Sequence, residues 1–167
     1  MRGPHADGMI RTAQPADVPE VHRMILALAE HQGYRHEVRA TEEQLREALF
    51  GAAPAVHAFV AVDEDGALAG FALWFLTYST WRGVHGIYLE DLYVDPARRG
   101  GGHGKALIAA LARTCTERGY QRLEWSVLDK LVPTIAFYRS LGARPLEDSK
   151  VFRLTDAELE ELAAYGQ

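Results

Sequence analysis

The segment order of this chain predicts an α/β fold, and three observations carry the prediction. β-Prone and helical runs follow one another as strand, helix, helix, strand, strand, strand, helix, strand, helix, strand, with a final helix. Asp63-Glu64-Asp65-Gly66 separates two apolar runs as a hairpin turn. The run Ile87 to Val94 leads through a glycine-rich turn straight into a helical pattern. A chain of 167 residues, 48% of them hydrophobic, is enough for one domain with its own core. Met1 to Gly8 is polar and reads as a leader outside that domain, which then spans 9–167.

The elements follow in order. Ile10 to Ala13 reads as the first strand. Pro15 opens a helix whose apolar face is Val18, Val21, Ile25, Leu28 and Ala29, and the pattern ends near His31-Gln32-Gly33. Thr41 to Gln44 is a capping box that starts a short helix ended by Gly51. Val56 to Val62 and Ala67 to Thr77 are strands on either side of the hairpin turn. Ser79 to Gly86 is a loop carrying Trp81. The long helix runs to about Arg118, with Gly119 as its cap. Leu123 to Val127 is a strand, and Pro133 starts a helix that Gly142 ends. Val151 to Leu154 reads as a last strand, and Thr155 to Glu158 as a second capping box before a C-terminal helix.

Bulk properties narrow the function. No apolar run reaches membrane-spanning length, so no membrane partner is expected. A net charge of −5, from 18 basic and 23 acidic residues, argues against nucleic acid. Cys115 is the only cysteine and lies on an apolar helix face, so it reads as core filler in a cytoplasmic protein. The histidines, including His31, His36, His85 and His103, are scattered without metal-ligand spacing, and no metal is expected.

The informative stretch is Leu89 to Leu107. Asp95-Pro96 stops a strand, four glycines and two arginines follow, and Ala106, Leu107, Ala110 and Leu111 recur at helical spacing. Glycines let backbone amides approach a ligand, and a helix N-terminus adds unpaired N–H groups and a positive dipole end. Together they form a cradle for a diphosphate. The nucleotide phosphate loop does not fit, because Arg99 stands at its first glycine and Ala106 replaces the magnesium-binding hydroxyl. The dinucleotide pattern G-x-G-x-x-G ends on Lys105 and fails too. The plainer alternative is a glycine turn with no ligand. Arg-x-x-Gly-x-Gly fits, as Arg99, Gly102 and Gly104.

That last pattern resembles the acetyl-CoA loop of the GCN5-related N-acetyltransferase (GNAT) superfamily. Tyr88-Leu89-Glu90-Asp91, Phe75 to Trp81 and Ala136-Phe137-Tyr138-Arg139-Ser140-Leu141-Gly142-Ala143 extend the likeness to the spermidine/spermine and thialysine acetyltransferase group, over about Ile10 to Ala164. The resemblance implies the GNAT acyl-CoA N-acyltransferase fold, a mixed, mostly antiparallel sheet flanked by helices and splayed between its fourth and fifth strands. It implies a homodimer that moves acetyl from acetyl-CoA to a primary amine of a small molecule. The acyl-CoA arm would lie in the splay, against Leu92, Tyr93 and Val94 on one side and Trp125, Ser126 and Val127 on the other. Arg99, Gly100, Gly101, Gly102, His103, Gly104 and Lys105 would hold the diphosphate, with Pro133 and Thr134 along the arm. His103 is expected to point at solvent or phosphate.

The expected chemistry is direct attack in a ternary complex. An alkylammonium loses a proton only near pH ~10, so the amine needs a base. Glu90 matches the family's base and amine contact, the Leu92 N–H would stabilise the oxyanion, and Tyr138 matches the general acid that protonates the thiolate. Strand alternation places Asp91 opposite Glu90. Each residue also has a plainer reading: Glu90 as a solvated charge, Tyr138 as a core aromatic, Lys105 as a solvated lysine.

The likeness breaks at the amine end. The polyamine enzymes carry a Tyr-Glu pair after the first helix, where this chain has His31 and Gln32. These, with Glu90 and Trp81, are the candidate substrate contacts. Leu131 replaces an asparagine expected to reach the CoA arm, and the segment after Ala143 lacks the family's tryptophan. The alternatives are a protein lysine or N-terminal acetyltransferase and an acyl-CoA-binding module without turnover.

Overall fold

The computed structural model describes residues 10–166, so the reading of Met1 to Gly8 as a leader lies outside the described residues. The chain forms two compact units, one running to Ser126 and the other starting at Val127.

The first unit is built on a five-stranded sheet. Its strands are β1 (Ile10–Thr12), β2 (His57–Val62), β3 (Leu68–Ser79), β4 (Val84–Val94) and β5 (Leu123–Trp125). They lie in sequence order, antiparallel except for the parallel pair β4–β5. The mixed, mostly antiparallel sheet is as the family resemblance implies. β3 and β4 are longer than expected at their shared turn: residues read as a loop from Ser79 to Gly86 continue the hairpin, with Tyr78 opposite His85 and Ser79 opposite Val84.

Three helices cover the sheet: α1 (Val18–Gln32), α2 (Glu42–Phe50) and α3 (His103–Arg118). Val18, Val21 and Met24 of α1 join Leu45 and Leu49 of α2 in one core with Val60, Phe71, Leu73 and Tyr93 of the sheet. Adjacent strand residues face opposite sides, so Trp74 looks the other way from Leu73. The Arg118 guanidinium of α3 lies 6.0 Å from the Trp74 ring centroid, which puts α3 on that second face. Its Leu107 and Leu111 are fully buried.

The second unit contains α4 (Val132–Ser140) and α5 (Asp156–Ala163). Two expectations fail here. Val151 to Leu154 forms no strand: no ladder pairs with it, and Val151 and Phe152 are 86% and 91% exposed. β-Propensity without a partner edge is not sufficient for a strand. The helix after Thr155 forms, but Thr155 makes no side-chain cap bond, and Asp156 sits at φ 49°. A left-handed first residue breaks the geometry that a capping box needs.

The box at α2 does form. Thr41 Oγ1 accepts from the Gln44 N–H at 3.2 Å, and Gln44 Oε1 accepts from the Thr41 N–H at 3.0 Å. Thr41→Ala removes one half of this exchange and should lower stability by about 1 kcal/mol, measured by urea denaturation, with an unchanged m-value.

Candidate active site

The site begins where β4 and β5 part. The parallel ladder pairs Ile87 with Leu123, Tyr88 with Glu124 and Leu89 with Trp125, and goes no further. β4 continues for five residues to Val94. At the fork the Tyr88 hydroxyl and Ser126 Oγ are 2.7 Å apart, and the Tyr88 ring packs on Phe75 with centroids at 5.2 Å. The two strands are therefore tied just before they separate.

On its other side β4 slips by one residue. Leu89 pairs with Trp74 and Asp91 with Leu73, so Glu90 is an extra residue with no partner on β3. This is a β-bulge, a device that re-aims side chains by interrupting the ladder. Alternation alone therefore does not fix where Glu90 points relative to Asp91. Leu89 shares Trp74's face and Asp91 shares Leu73's, so strict period-two order fails across Glu90. The Asp91 carboxyl also senses the Glu90 charge. Burial, with the Glu90 charge adding to it, lifts the half-buried Asp91 carboxyl from 3.8 to about 6.

Beyond the bulge, backbone direction decides which groups meet the vacated edge. The Asp95 N–H donates to Ala69 O of β3 at 2.8 Å. By alternation Tyr93 also turns towards β3, while Val94 and Leu92 present their backbone groups to the outer edge. Arg99 confirms that side: its Nε donates to Val94 O at 3.2 Å. Of the three residues read as arm contacts, Leu92 and Val94 fit by backbone. Tyr93 is a core residue, 7% exposed and packed near Phe71 with centroids at 6.5 Å.

The turn after β4 is the candidate anion end. Gly100 and Gly102 take φ of 88° and 81°, a region that side chains rarely enter, and a Cβ on either would meet nothing within 4 Å. Gly102 is the N-cap of α3 and no side chain caps the helix. An open glycine face at the start of a 16-residue helix fits a diphosphate, as the sequence suggests. Arg99 and Lys105 are exposed beside it. His103 departs from expectation. It is the first residue of α3, 4% exposed, with Nε2 3.9 Å from Asp63 Oδ1. A Cβ on Gly101 would lie 3.3 Å from that nitrogen, so the ring sits beneath the turn instead of pointing to solvent. Only its backbone remains on the ligand side of the reading.

The remaining candidates are placed as follows. His31 is exposed and Gln32 half-buried at the end of α1, where Gly33 caps the helix at φ 83°. Trp81 is 96% exposed in the β3–β4 turn. β4 advances about 3.3 Å per residue, which sets Glu90 roughly 20 Å along the strand from Val84. Within one chain Trp81 and Glu90 are not brought together. In the second unit Leu131 is the N-cap of α4, Pro133 lies in its first turn and Thr134 follows. Burial raises the pKa of the half-buried Tyr138 phenol, which keeps its proton in place. Among the described residues no group of three or more His, Cys, Asp or Glu is arranged to hold a metal ion.

With this geometry in view, the chain can be set beside known proteins. The model of the Acetyltransferase (GNAT) family matches residues 21–143. The chain belongs to the GNAT acetyltransferase family. It is an acetyl-CoA-dependent N-acetyltransferase. It is 36% identical to a thialysine N-epsilon-acetyltransferase of Mus musculus over 168 residues, 95% of this chain and 98% of that one. It is 29% identical to an L-ornithine N5-acetyltransferase of Arabidopsis thaliana, covering 92% of this chain and 86% of the other. Among solved structures, an integron cassette protein from the mobile metagenome of V. cholerae shares the fold, with TM-score 0.77, 24% identity and coverage of 93% of this GNAT chain and 96% of the other.

The Asp91 environment gives a test of the bulge. Its pKa is raised, so between pH 3.8 and about 6 the folded state holds more protons than the unfolded state, and stability falls as pH rises through that window. Asp91→Asn should stabilise the protein at pH 7.5 by up to about 3 kcal/mol and change little at pH 3.5, measured by urea denaturation. Equal effects at both pH values would mean that the carboxyl is not buried in this way.

Proposed function

We propose that the protein acetylates a primary amine of a small molecule, by direct attack within a ternary complex, and that the acceptor is an amino-acid side-chain amine of the thialysine or ornithine kind. Acetyl-CoA, when bound, supplies an activated acetyl group and a thiolate leaving group. The chain's own residues then have separate tasks. The Glu90 carboxylate, set apart by the bulge, holds the ammonium and takes its proton. The Leu92 N–H, on the outer edge of β4, is the donor available to a developing oxyanion. Tyr138 Oη holds the proton that the sulfur needs, and burial of the phenol favours the protonated form. Arg99, the Gly100–Gly102 and Gly104 backbone, the His103 N–H and Lys105 hold the diphosphate, and Pro133 and Thr134 flank the arm.

The single observation that carries the reading is the unpaired edge of β4 leading directly into an uncapped, glycine-opened helix start. The acceptor class is supported by the thialysine and ornithine enzymes that the chain resembles. The absence of a carboxylate at His31 and Gln32, at the end of α1, favours a less cationic amine than spermidine. Homodimerisation and a cytoplasmic setting belong to the same proposal, and the lone buried Cys115 suits a reducing compartment. No helix among the described residues is long and apolar enough to cross a membrane.

A coenzyme-release assay with thialysine, ornithine, spermidine and a lysine peptide tests this directly. Release is expected with thialysine or ornithine and should be weaker with spermidine. Release with the peptide alone, or with no amine, contradicts the proposal. Tyr138→Phe should reduce turnover by about 10²-fold or more while CoA affinity stays near wild type. Unchanged turnover would remove Tyr138 from the acid role.

A further inference from the structure

We propose that the β2–β3 turn is a clamp that sets the shape of the cofactor loop, with Asp63, Asp65 and Arg98 as positioning residues. The inference rests on the acetyl-CoA reading for its consequence but not for its geometry.

Two arginines stand side by side in the loop, and they do different things. Arg99 is exposed beside the open glycines. Arg98 is turned away from them and held by two carboxylates from a turn more than thirty positions earlier. Its Nη1 donates to Asp63 and, at 3.1 Å, to Asp65 Oδ1, and its Nη2 donates to Asp65 Oδ2 at 3.0 Å. A guanidinium engaged on both sides by carboxylates has little left for a phosphate. Arg98 is therefore an anchor of the loop, while Arg99, whose Nε donates to Val94 O, is an exposed cation beside the glycines.

The acidic side of the clamp is also held by bonds within its own turn. Asp63 Oδ1 accepts from the Glu64 N–H at 2.9 Å, and Asp65 Oδ1 accepts from the Ala67 N–H at 2.9 Å. The Gly66 N–H donates to Asp63 O at 2.9 Å and closes the turn. Local bonds of this kind fix a carboxylate's direction without help from its salt-bridge partner. Asp63 reaches the loop a second time through buried His103, whose ring fills the space under Gly101. The other end of the short Pro96–Arg98 turn is fixed as well: Asp95 Oδ1 accepts from the Ala97 N–H at 3.3 Å, and Arg23 of α1 donates to Asp95 Oδ2 at 3.1 Å. Glycines at 100–102 make the loop open, and glycine is also the costliest residue to order. Fastening both flanks removes much of that cost before any ligand binds.

The test uses the full chain, CoA itself as probe, and two readouts. In Asp63→Asn/Asp65→Asn, which keeps shape and removes charge, CoA affinity by calorimetry should weaken about tenfold. Amides 99–104 should exchange hydrogen faster in the unliganded protein, while α1 and β1–β3 exchange as in wild type. In steady state, KM for acetyl-CoA should rise and kcat should hold. Arg98→Lys should retain part of the affinity that Arg98→Ala loses, since it keeps charge without the planar fork. If Arg98→Ala fails to fold, the double Asn variant decides the matter. Wild-type affinity and wild-type loop exchange in that variant overturn the clamp while leaving the cofactor reading intact. A wild-type protein that does not bind CoA overturns the cofactor reading and with it the clamp's role in binding, while the loop-exchange result still decides whether the clamp exists.

Discussion

The separation of β4 from β5 after Leu89 and Trp125 is the constraint on which the rest depends. From Ile87 to Leu89, β4 is an ordinary interior strand with partners on both sides. Beyond Leu89, one edge has no strand partner. A strand edge left open in a sheet invites pairing with something else, and proteins normally blunt it. Here the opening is defined at both limits. The Tyr88–Ser126 hydrogen bond holds the strands together at the fork, and Arg99 covers the last carbonyl at Val94. What remains between them is a short row of backbone groups, including Leu92, beside a bulged glutamate.

The bulge and the opening occur at the same place, and they serve one another. Slipping the β3 ladder at Glu90 brings two carboxyl groups close enough for one to feel the other's charge. That arrangement costs stability, as a half-buried carboxylate does. It is tolerated because the sheet around it is heavily packed: Phe71, Ile87, Leu89, Leu107 and Leu111 are all but inaccessible to solvent, and they belong to β3, β4 and α3. The core thus holds the open edge steady on a rigid scaffold.

Much of this was legible in the sequence. The segment order, the first capping box and the open glycine turn follow from local rules: hydrophobic period, N-cap chemistry and glycine φ; the mixed sheet followed from the family resemblance. What the sequence hid depends on pairing. A bulge at Glu90 requires knowing that Leu73 and Trp74 face Asp91 and Leu89, which no property of the Leu89–Leu92 run reveals. His103 looked like a loop residue because its neighbours are glycines, yet it opens α3 and is buried near Asp63, forty residues earlier in the chain. Val151 to Leu154 has the composition of a strand and lacks the partner that would make it one. Trp81, in the motif that carries the family likeness, stands exposed at a hairpin turn.

The most direct test of the central claim is a backbone amide NMR titration of the full chain with acetyl-CoA. The expected result is a set of shifts concentrated at Leu92, Val94 and Gly100 to Lys105, with β1 and β2 undisturbed. Binding that leaves the Leu92 and Val94 amides unmoved, or that shifts residues remote from the vacated β4 edge instead, would contradict the claim.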